Sequence, residues 1–138
     1  MSAQLERLKK RMAAIPQRVK HGVQPALKQS GDELAGMMKH LAPKLTGDLA
    51  DSIAVTTAGN STPPYSQPGG SMIVPENAVA ITAGNSKVRY PHLVEYGTAH
   101  AHAQPYFWPS YRLLKKRLSN RIKRSIRKSV KEGWGQGD

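Results

Sequence analysis

The stretch that decides the fold spans residues 90–109 and reads YPHLVEYGTAHAHAQPYFWP. It contains a short apolar turn with one acid, then a Gly-Thr stop, then an aromatic run between two prolines. It does not arrange a nucleophile, a base and an oxyanion donor as catalysis needs. Prolines fix the backbone, and aromatic rings offer large rigid contact surfaces. We therefore expect the run to anchor a subunit or sheet contact, made by Tyr106, Phe107 and Trp108.

The composition indicates a single domain, residues 1–138, with a thin core. The apolar fraction is 38%, and the chain has only one Phe and two Trp. Neighbouring subunits are therefore expected to supply part of the stability. The absence of cysteine excludes disulfides and thiolate metal sites. No run approaches the roughly 20 apolar residues of a membrane span, and the N-terminus does not resemble a signal peptide, so we expect a soluble protein made in the cytoplasm.

The positive charge is concentrated at the two ends of the chain. There are 21 basic residues against 9 acids, which gives a net charge of +12. Residues 112–131 hold ten of the basic residues and no acid. This run is either a surface for phosphate or an acidic protein, or the ordinary polar face of an amphipathic helix, and the sequence leaves both interpretations open. The predicted basic surface consists of Arg112, Lys116, Arg117, Arg121, Arg124, Arg127 and Lys128.

Helical periodicity dominates the N-terminal region, residues 1–42. Apolar residues three and four positions apart predict an amphipathic helix over residues 2–15 that ends at Pro16. A second helix is predicted over residues 17–41, which Pro25 or the Ser30-Gly31 pair could kink or split.

The middle region, residues 43–108, is predicted to hold a small, mostly antiparallel sheet. Short runs rich in β-branched and apolar residues predict strands over 53–57 and 78–83, and a third strand at a sheet edge over 103–108. Four prolines and three glycines in residues 59–77 predict a long mobile arm rather than a tight hairpin.

The C-terminal region contains the clearest helix of the chain. Apolar residues recur every three or four positions from Tyr111 to Val130, which predicts a basic helix over residues 109–132 and a tail over 133–138. Helices that flank a small antiparallel sheet make the predicted fold class α+β.

Four residues come closest to a metal-binding pattern: His92, Glu95, His100 and His102. Their spacing matches no common zinc motif. We therefore interpret Glu95 as a structural acid that pairs with an arginine or a backbone donor. A phosphate loop and a strained nucleophile turn are also missing from the sequence. The sequence predicts neither an enzyme nor a metal or cofactor site.

Three short motifs occur in an order that resembles a known protein family. The first is Pro-x-x-Thr-Gly-x-Leu-x-x-Ser-Ile, the second a Tyr-x-x-x-Val-Glu-x-Gly-Thr segment, and the third an Ala-Gln-Pro-aromatic block that ends in proline. Together they resemble the small tail-completion (head–tail joining, neck) proteins of long-tailed bacteriophages, similar to the Z-type tail protein of lambda-like phages. Pro91 departs from the family pattern, as does Tyr106, which stands where the family has Phe. The resemblance is carried by Pro43, Thr46, Gly47, Leu49, Ser52, Ile53, Tyr90, Val94, Glu95, Gly97, Thr98, Gln104, Pro105, Phe107 and Pro109.

The resemblance implies a structural virion protein and not an enzyme. Such proteins form rings, expected to be hexamers, at the head-proximal end of the tail. The implied partners are copies of the chain, a head-completion or connector protein, a tail terminator or tail tube protein, and DNA in the channel. The implied location is the tail or neck of the virion, after assembly in the host cytoplasm. The 59–77 arm would reach a neighbouring ring, with Tyr65 and Met72 as contacts.

The basic C-terminal helix also fits a different class of protein. A non-specific nucleic-acid-binding protein would use this helix to follow the phosphate backbone, and its binding would weaken steeply with salt. Charge reversal at Arg121, Arg124 and Lys128 would then abolish binding.

Overall fold

Two long helices and a two-stranded antiparallel sheet make up the fold, which confirms the predicted α+β class. The computed structural model describes residues 3–43 and 47–135. Within these residues no helix is both long and apolar enough to cross a lipid bilayer. In chain order the elements are α1 (Ala3–Leu41), α2 (Asp48–Asp51), β1 (Ala54–Thr56), β2 (Ala80–Thr82), α3 (Pro91–Tyr96) and α4 (Phe107–Gly135).

Helix α1 is continuous, so the predicted helix end at Pro16 is wrong. Pro16 and Pro25 both lie inside the helix, and both are exposed to solvent. A proline removes one backbone hydrogen bond and displaces the carbonyl four residues earlier. On an exposed side that carbonyl can turn toward water. The predicted break near Pro25 does not occur, because packing of the apolar stripe stabilises a helix beyond its local propensity.

Helix α4 packs along α1 in the antiparallel direction. The Ser125 hydroxyl donates to the Gly22 carbonyl at 3.2 Å, and a side chain on Gly22 would overlap the Ser129 hydroxyl. Further along α1, Glu33 contacts Arg121 of α4. Arg121 is about two turns nearer to the start of α4 than Ser129 is. The pairing of Gly22 with the end of α4 and of Glu33 with its first half fixes the register of the two helices.

Strands β1 and β2 confirm the two predicted strands in a shorter form. Ala54 lies opposite Thr82 and Thr56 lies opposite Ala80. The sheet contacts α1 on one side. One continuous core joins the C-terminal half of α1, α2, the segment after β2 and the start of α4, and its buried members are Leu34, Ala35, Met38, Ala42, Leu49, Ala50, Ile53, Ala83, Val88, Tyr106, Phe107 and Leu118.

Residues 59–77 form a paired hairpin, here called the 59–77 hairpin. The Gly59 amide donates to the Val74 carbonyl at 2.9 Å. Nearer the tip, the Thr62 amide donates to the Met72 carbonyl, and the Met72 amide donates to the buried Thr62 hydroxyl, both at 2.8 Å. The predicted long excursion is therefore present, and these antiparallel hydrogen bonds hold its two sides together. Much of this pairing uses a side-chain hydroxyl, which strand propensity does not reveal.

The predicted third strand, 103–108, is also wrong. The segment before Phe107 is irregular, and α4 begins at Phe107 instead of Pro109. A proline fits in the first turn of a helix because the N–H that it lacks would have no partner there. Helix α4 also runs past the predicted end at residue 132.

Candidate functional site

The second and third motifs meet where α3 leads into α4, here called the α3–α4 junction (residues 90–110). At its centre is Glu95, whose side chain is buried with 7% exposure. Its Oε1 accepts hydrogen bonds from the amides of Tyr106 at 2.9 Å and Phe107 at 2.8 Å, and its Oε2 accepts one from the Trp108 amide at 3.2 Å. The first amides of a helix have no partner within the helix. The carboxylate supplies partners, and its charge is favourable at the positive end of the helix dipole. The interpretation of Glu95 as a structural acid bound to backbone donors is confirmed.

Gly97 turns the chain back toward Glu95. Its φ of 78° and ψ of 175° lie in a region that is open essentially to glycine alone. A Cβ at this position would lie 2.8 Å from the Ala103 nitrogen. This close return lets the Gln104 amide donate to the Val94 carbonyl at 2.8 Å. The glycine of the second motif thus brings the third motif against α3.

Tyr106 lies next to Glu95 and is 1% exposed. Its hydroxyl donates weakly to the Pro91 carbonyl at 3.5 Å. Burial raises the pKa of the Tyr106 phenol well above its usual range, and the negative charge of Glu95 raises it further. The phenol is therefore neutral in the folded chain at physiological pH.

The Tyr106 phenol predicts a loss of stability at alkaline pH. Between about pH 10, where the unfolded phenol ionises, and the higher folded pKa, only the unfolded state releases this proton. The free energy of unfolding should therefore fall by about 1.4 kcal/mol per pH unit through this window in the wild type. Tyr106→Phe should remove this component and change the stability at pH 7 only slightly. Urea unfolding between about pH 8 and about pH 11.5 measures the pH dependence of stability in the wild type and in Tyr106→Phe.

An exposed tyrosine supplies the control for that series. Tyr65→Phe should give the wild-type pH profile, because the Tyr65 ring is exposed. A Tyr106→Phe profile equal to that of the wild type would contradict the assignment.

The first motif packs α2 into the core. Leu49 and Ile53 are buried core residues. The Ser52 hydroxyl donates to the Leu49 carbonyl at 2.6 Å and accepts from the Gly84 amide at 3.0 Å. Ser52 therefore links the end of α2 to the segment that follows β2. The serine of this motif is a connecting group in a buried position.

The remaining motif residues occupy the borders of these elements. Pro43 is half-buried after α1, and Gly47 precedes α2 with a φ of 82°. Thr46 lies outside the described residues. The structure places the others as follows: Tyr90, Thr98, Gln104 and Pro105 exposed, Val94 and Pro109 half-buried, and Phe107 buried.

The aromatic run does not present all three of its rings to a partner. Tyr106 and Phe107 belong to the chain's own core, so Trp108 is the only ring of the run that is partly exposed at the surface of the subunit. A pattern of prolines and aromatic residues does not distinguish an inward anchor from an outward one. Trp108 is half-buried, and its Nε1 donates to the hydroxyl of the exposed Tyr96 at 2.7 Å.

The other two predicted contact residues lie on the 59–77 hairpin. Tyr65 and Met72 are both exposed. The Arg89 guanidinium lies over the Tyr65 ring, 3.8 Å from its centroid, which fixes the ring in place. Ile73, which no sequence pattern distinguishes as a contact residue, is 70% exposed beside Met72.

The predicted basic surface loses one member. The side chain of Arg121 is only 15% exposed, and its guanidinium donates to Glu33 at 2.7 Å and to the Ser30 hydroxyl at 3.3 Å. Arg121 therefore holds α4 against α1 and does not belong to the solvent face. Arg117 is exposed and also contacts Glu33, at 3.0 Å. The other predicted members are exposed: Arg112, Lys116, Arg124, Arg127 and Lys128.

The different surroundings of Arg121 and Arg124 predict that substitution at the two positions has unequal effects on stability. Arg121→Ala should lower the free energy of unfolding by about 2 kcal/mol, because it leaves the partly buried Glu33 carboxylate without its closest partner. Arg124→Ala, one turn away on the exposed face, should change it by less than about 0.5 kcal/mol. Urea denaturation followed by circular dichroism compares them. Equal effects of the two substitutions would contradict the assignment of Arg121.

The four residues that come closest to a metal-binding pattern do not surround a common point where an ion could bind. Glu95 is occupied by backbone amides, and His92, His100 and His102 are exposed. In residues 3–43 and 47–135, no three His, Cys, Asp or Glu side chains are grouped so that they could hold a metal ion.

The α3–α4 junction is thus built for rigidity, because its buried polar side chains, Glu95 and Ser110, are hydrogen-bonded within the chain. No curated protein and no solved structure matches the sequence. The family described as "Bacteriophage HK97-gp10, putative tail-component" matches residues 6–97. The matched range contains the first motif and the second motif up to Gly97, and Thr98 and the third motif lie beyond it. Because the match extends over more than half of the chain, the chain belongs to the HK97-gp10-like family and is a structural component of a bacteriophage tail.

Proposed function

We propose that the chain forms a ring, expected to be a hexamer, at the head-proximal end of the tail. There it would complete the tail and join it to the head through a connector or head-completion protein on one side and a tail terminator or tail tube protein on the other. The role is structural and not catalytic. Support comes from membership of a tail-component family and from the apolar surface of the subunit.

The observation that carries the proposal is a pair of different apolar patches on different elements. One patch is on the 59–77 hairpin, where Met72 and Ile73 are exposed. The other is on the outside of the α3–α4 junction, where Leu93 and Tyr96 are exposed. A closed ring needs two different complementary faces on each subunit. Two unlike patches on one chain fit that requirement better than a two-fold dimer, which uses the same patch twice.

We also infer that residues 1–138 act as one domain. The antiparallel contact between α1 and α4 joins the N-terminal and C-terminal regions directly. One core receives side chains from α1, α2 and α4.

Complementation tests the proposed position. A phage that lacks this chain should accumulate separate heads and tails in infected cells, and purified wild-type chain should restore infectious particles in the lysate. Native mass spectrometry of the purified chain, alone and with isolated tails, gives the copy number. Tails that still join heads without the chain would contradict the proposal.

A matched pair of variants tests the hairpin patch. Ile73→Glu places a charge in the patch and should prevent ring formation and complementation. Ser71→Glu places the same charge on an exposed polar position of the same hairpin and should leave both intact. Full complementation by Ile73→Glu would show that the patch is not a subunit contact.

The basic face of α4 favours one alternative, non-specific binding of nucleic acid. Lys123, Arg124 and Arg127 lie along one shallow groove on the solvent side of α4, together with Arg117 and Asn120. Fluorescence anisotropy with a duplex of about 30 base pairs, repeated at several salt concentrations, tests this. Arg124→Glu with Arg127→Glu should abolish binding if the alternative holds. Arg121, included in the sequence-based test, is unsuitable because its replacement would disturb the contact with Glu33.

A further inference from the structure

The N-terminal part of α1 extends beyond the helix that covers the rest of it. Gly22 packs against Ser125 and Ser129, and Glu33 against Arg121. Extending this antiparallel register places the last described residue of α4 opposite about residue 16 of α1. The thirteen residues before that point, 3–15, are here called the overhang, and they make about 20 Å of helix.

The overhang has an apolar stripe that nothing in the described chain covers. Leu5, Leu8 and Met12 are 41%, 39% and 58% exposed. At 100° per residue they lie on the same side of α1 as Val23 and Leu27, which are buried. The stripe therefore continues the packing face of α1 past the end of α4, where a further element would be needed to cover it.

The charge around the stripe indicates what covers it. The overhang exposes Arg7, Lys9 and Lys10 against the single acid Glu6. The antiparallel packing brings the end of α4 to the same end of the molecule, with Lys128 and Lys131 against one acid, Glu132, which lies 4.0 Å from Lys128. Two regions that are more than a hundred positions apart in the sequence thus form one basic pole.

This charge disfavours a second copy and favours an acidic partner. Pairing the stripes of two copies would bring two basic poles together, which is repulsive. A nucleic acid would engage the cations but would leave the apolar stripe uncovered. An apolar groove with an acidic rim satisfies both features, in the way an amphipathic helix is held in a groove through residues at i, i+3 and i+7.

We propose that the overhang docks as a helix into an apolar groove with an acidic rim on an adjoining virion protein. This rests on the proposed function only in placing that protein at the head–tail joint. The apolar stripe supplies the affinity, and the basic residues around it supply orientation and a dependence on salt.

The test uses tails and DNA-filled heads purified from cells infected with a phage that lacks this chain. Cosedimentation measures how the purified full-length chain binds each particle. Leu8→Gln should weaken binding about tenfold or more, because a leucine buried in the complex is lost. Ala3→Gln puts the same side chain on an exposed position on the opposite side of the overhang from the stripe and should bind as the wild type does. Binding should also weaken as NaCl rises from about 50 to 500 mM.

The failure of this inference can be told apart from failure of the proposed function. Binding of the wild-type chain to neither tails nor heads, or no defect in joining without it, contradicts the proposed function. If the chain binds another part of the virion instead, the comparison of Leu8→Gln with the wild type is made on that part. Binding to no part of the virion overturns the inference. Equal binding by Leu8→Gln and the wild type also overturns it. So does a Leu8→Gln chain that only loses self-association, since the occupant would then be a second copy. A Leu8→Gln chain that loses binding to anionic lipid vesicles, but binds the particles as the wild type does, would identify a membrane surface as the occupant of the stripe and would overturn the inference.

Discussion

Glu95→Ala should lower the free energy of unfolding by about 3 kcal/mol. The substitution removes the acceptor of three backbone hydrogen bonds at the start of α4, and two of those amides belong to the buried residues Tyr106 and Phe107. Each buried donor left without a partner costs about 1–3 kcal/mol, and the favourable interaction with the helix dipole is lost as well. Thermal unfolding followed by circular dichroism should show a midpoint lower by roughly 10 °C.

Two further variants separate the causes of that loss. Glu95→Gln keeps an oxygen acceptor but not the charge, so its effect should be intermediate. Glu132→Ala removes an exposed acid near the other end of α4 and should change the stability by less than about 0.5 kcal/mol. A Glu95→Ala protein as stable as Glu132→Ala would show that the carboxylate does not hold the start of α4.

Gly97→Ala should destabilise the chain by a similar amount, about 3 kcal/mol. A side chain would force this position out of a backbone region that only glycine occupies readily, which costs about 1–3 kcal/mol. It would also bring a Cβ within 2.8 Å of the Ala103 nitrogen. Urea unfolding measures the loss, and the near-ultraviolet circular dichroism of Trp108 should change with it, because the return of the chain toward α4 is disturbed.

Gly59→Ala is the matched control for Gly97→Ala. Gly59 also has a positive φ, 82°, but no atom lies within 4 Å of a Cβ built there. Its substitution should cost only about 1 kcal/mol from the backbone conformation. Equal losses at the two glycines would mean that the close return to Ala103 is unimportant. The double variant Glu95→Ala with Gly97→Ala should lose less than the sum of the two, because both changes break the same junction.

Periodicity and local chemistry predict much of the fold. The apolar spacing in the C-terminal region predicts α4, and two short β-branched and apolar runs predict β1 and β2. The role of Glu95 as a structural acid is predicted because its surroundings lack a metal motif and a catalytic arrangement. Each of these features depends on residues that are close together in the sequence.

Features that depend on distant contacts are predicted poorly. Pro16 and Pro25 indicate helix ends locally, but α1 continues through both, and around Pro25 its apolar face is packed through the buried residues Val23 and Leu27. The aromatic run indicates a contact surface, but Tyr106 and Phe107 point into the core. Arg121 resembles its basic neighbours, and only the register between α1 and α4 reveals that it is bound to Glu33.

The measurement that tests the proposed function most directly is a cryo-electron microscopy reconstruction of the intact virion at the junction of head and tail. We expect a closed ring of this chain between the connector and the tail tube. In each subunit the 59–77 hairpin should face a neighbour, and the overhang should lie in a groove of an adjoining protein. Density for the chain at the distal tip of the tail, or its absence from the virion, would contradict the account.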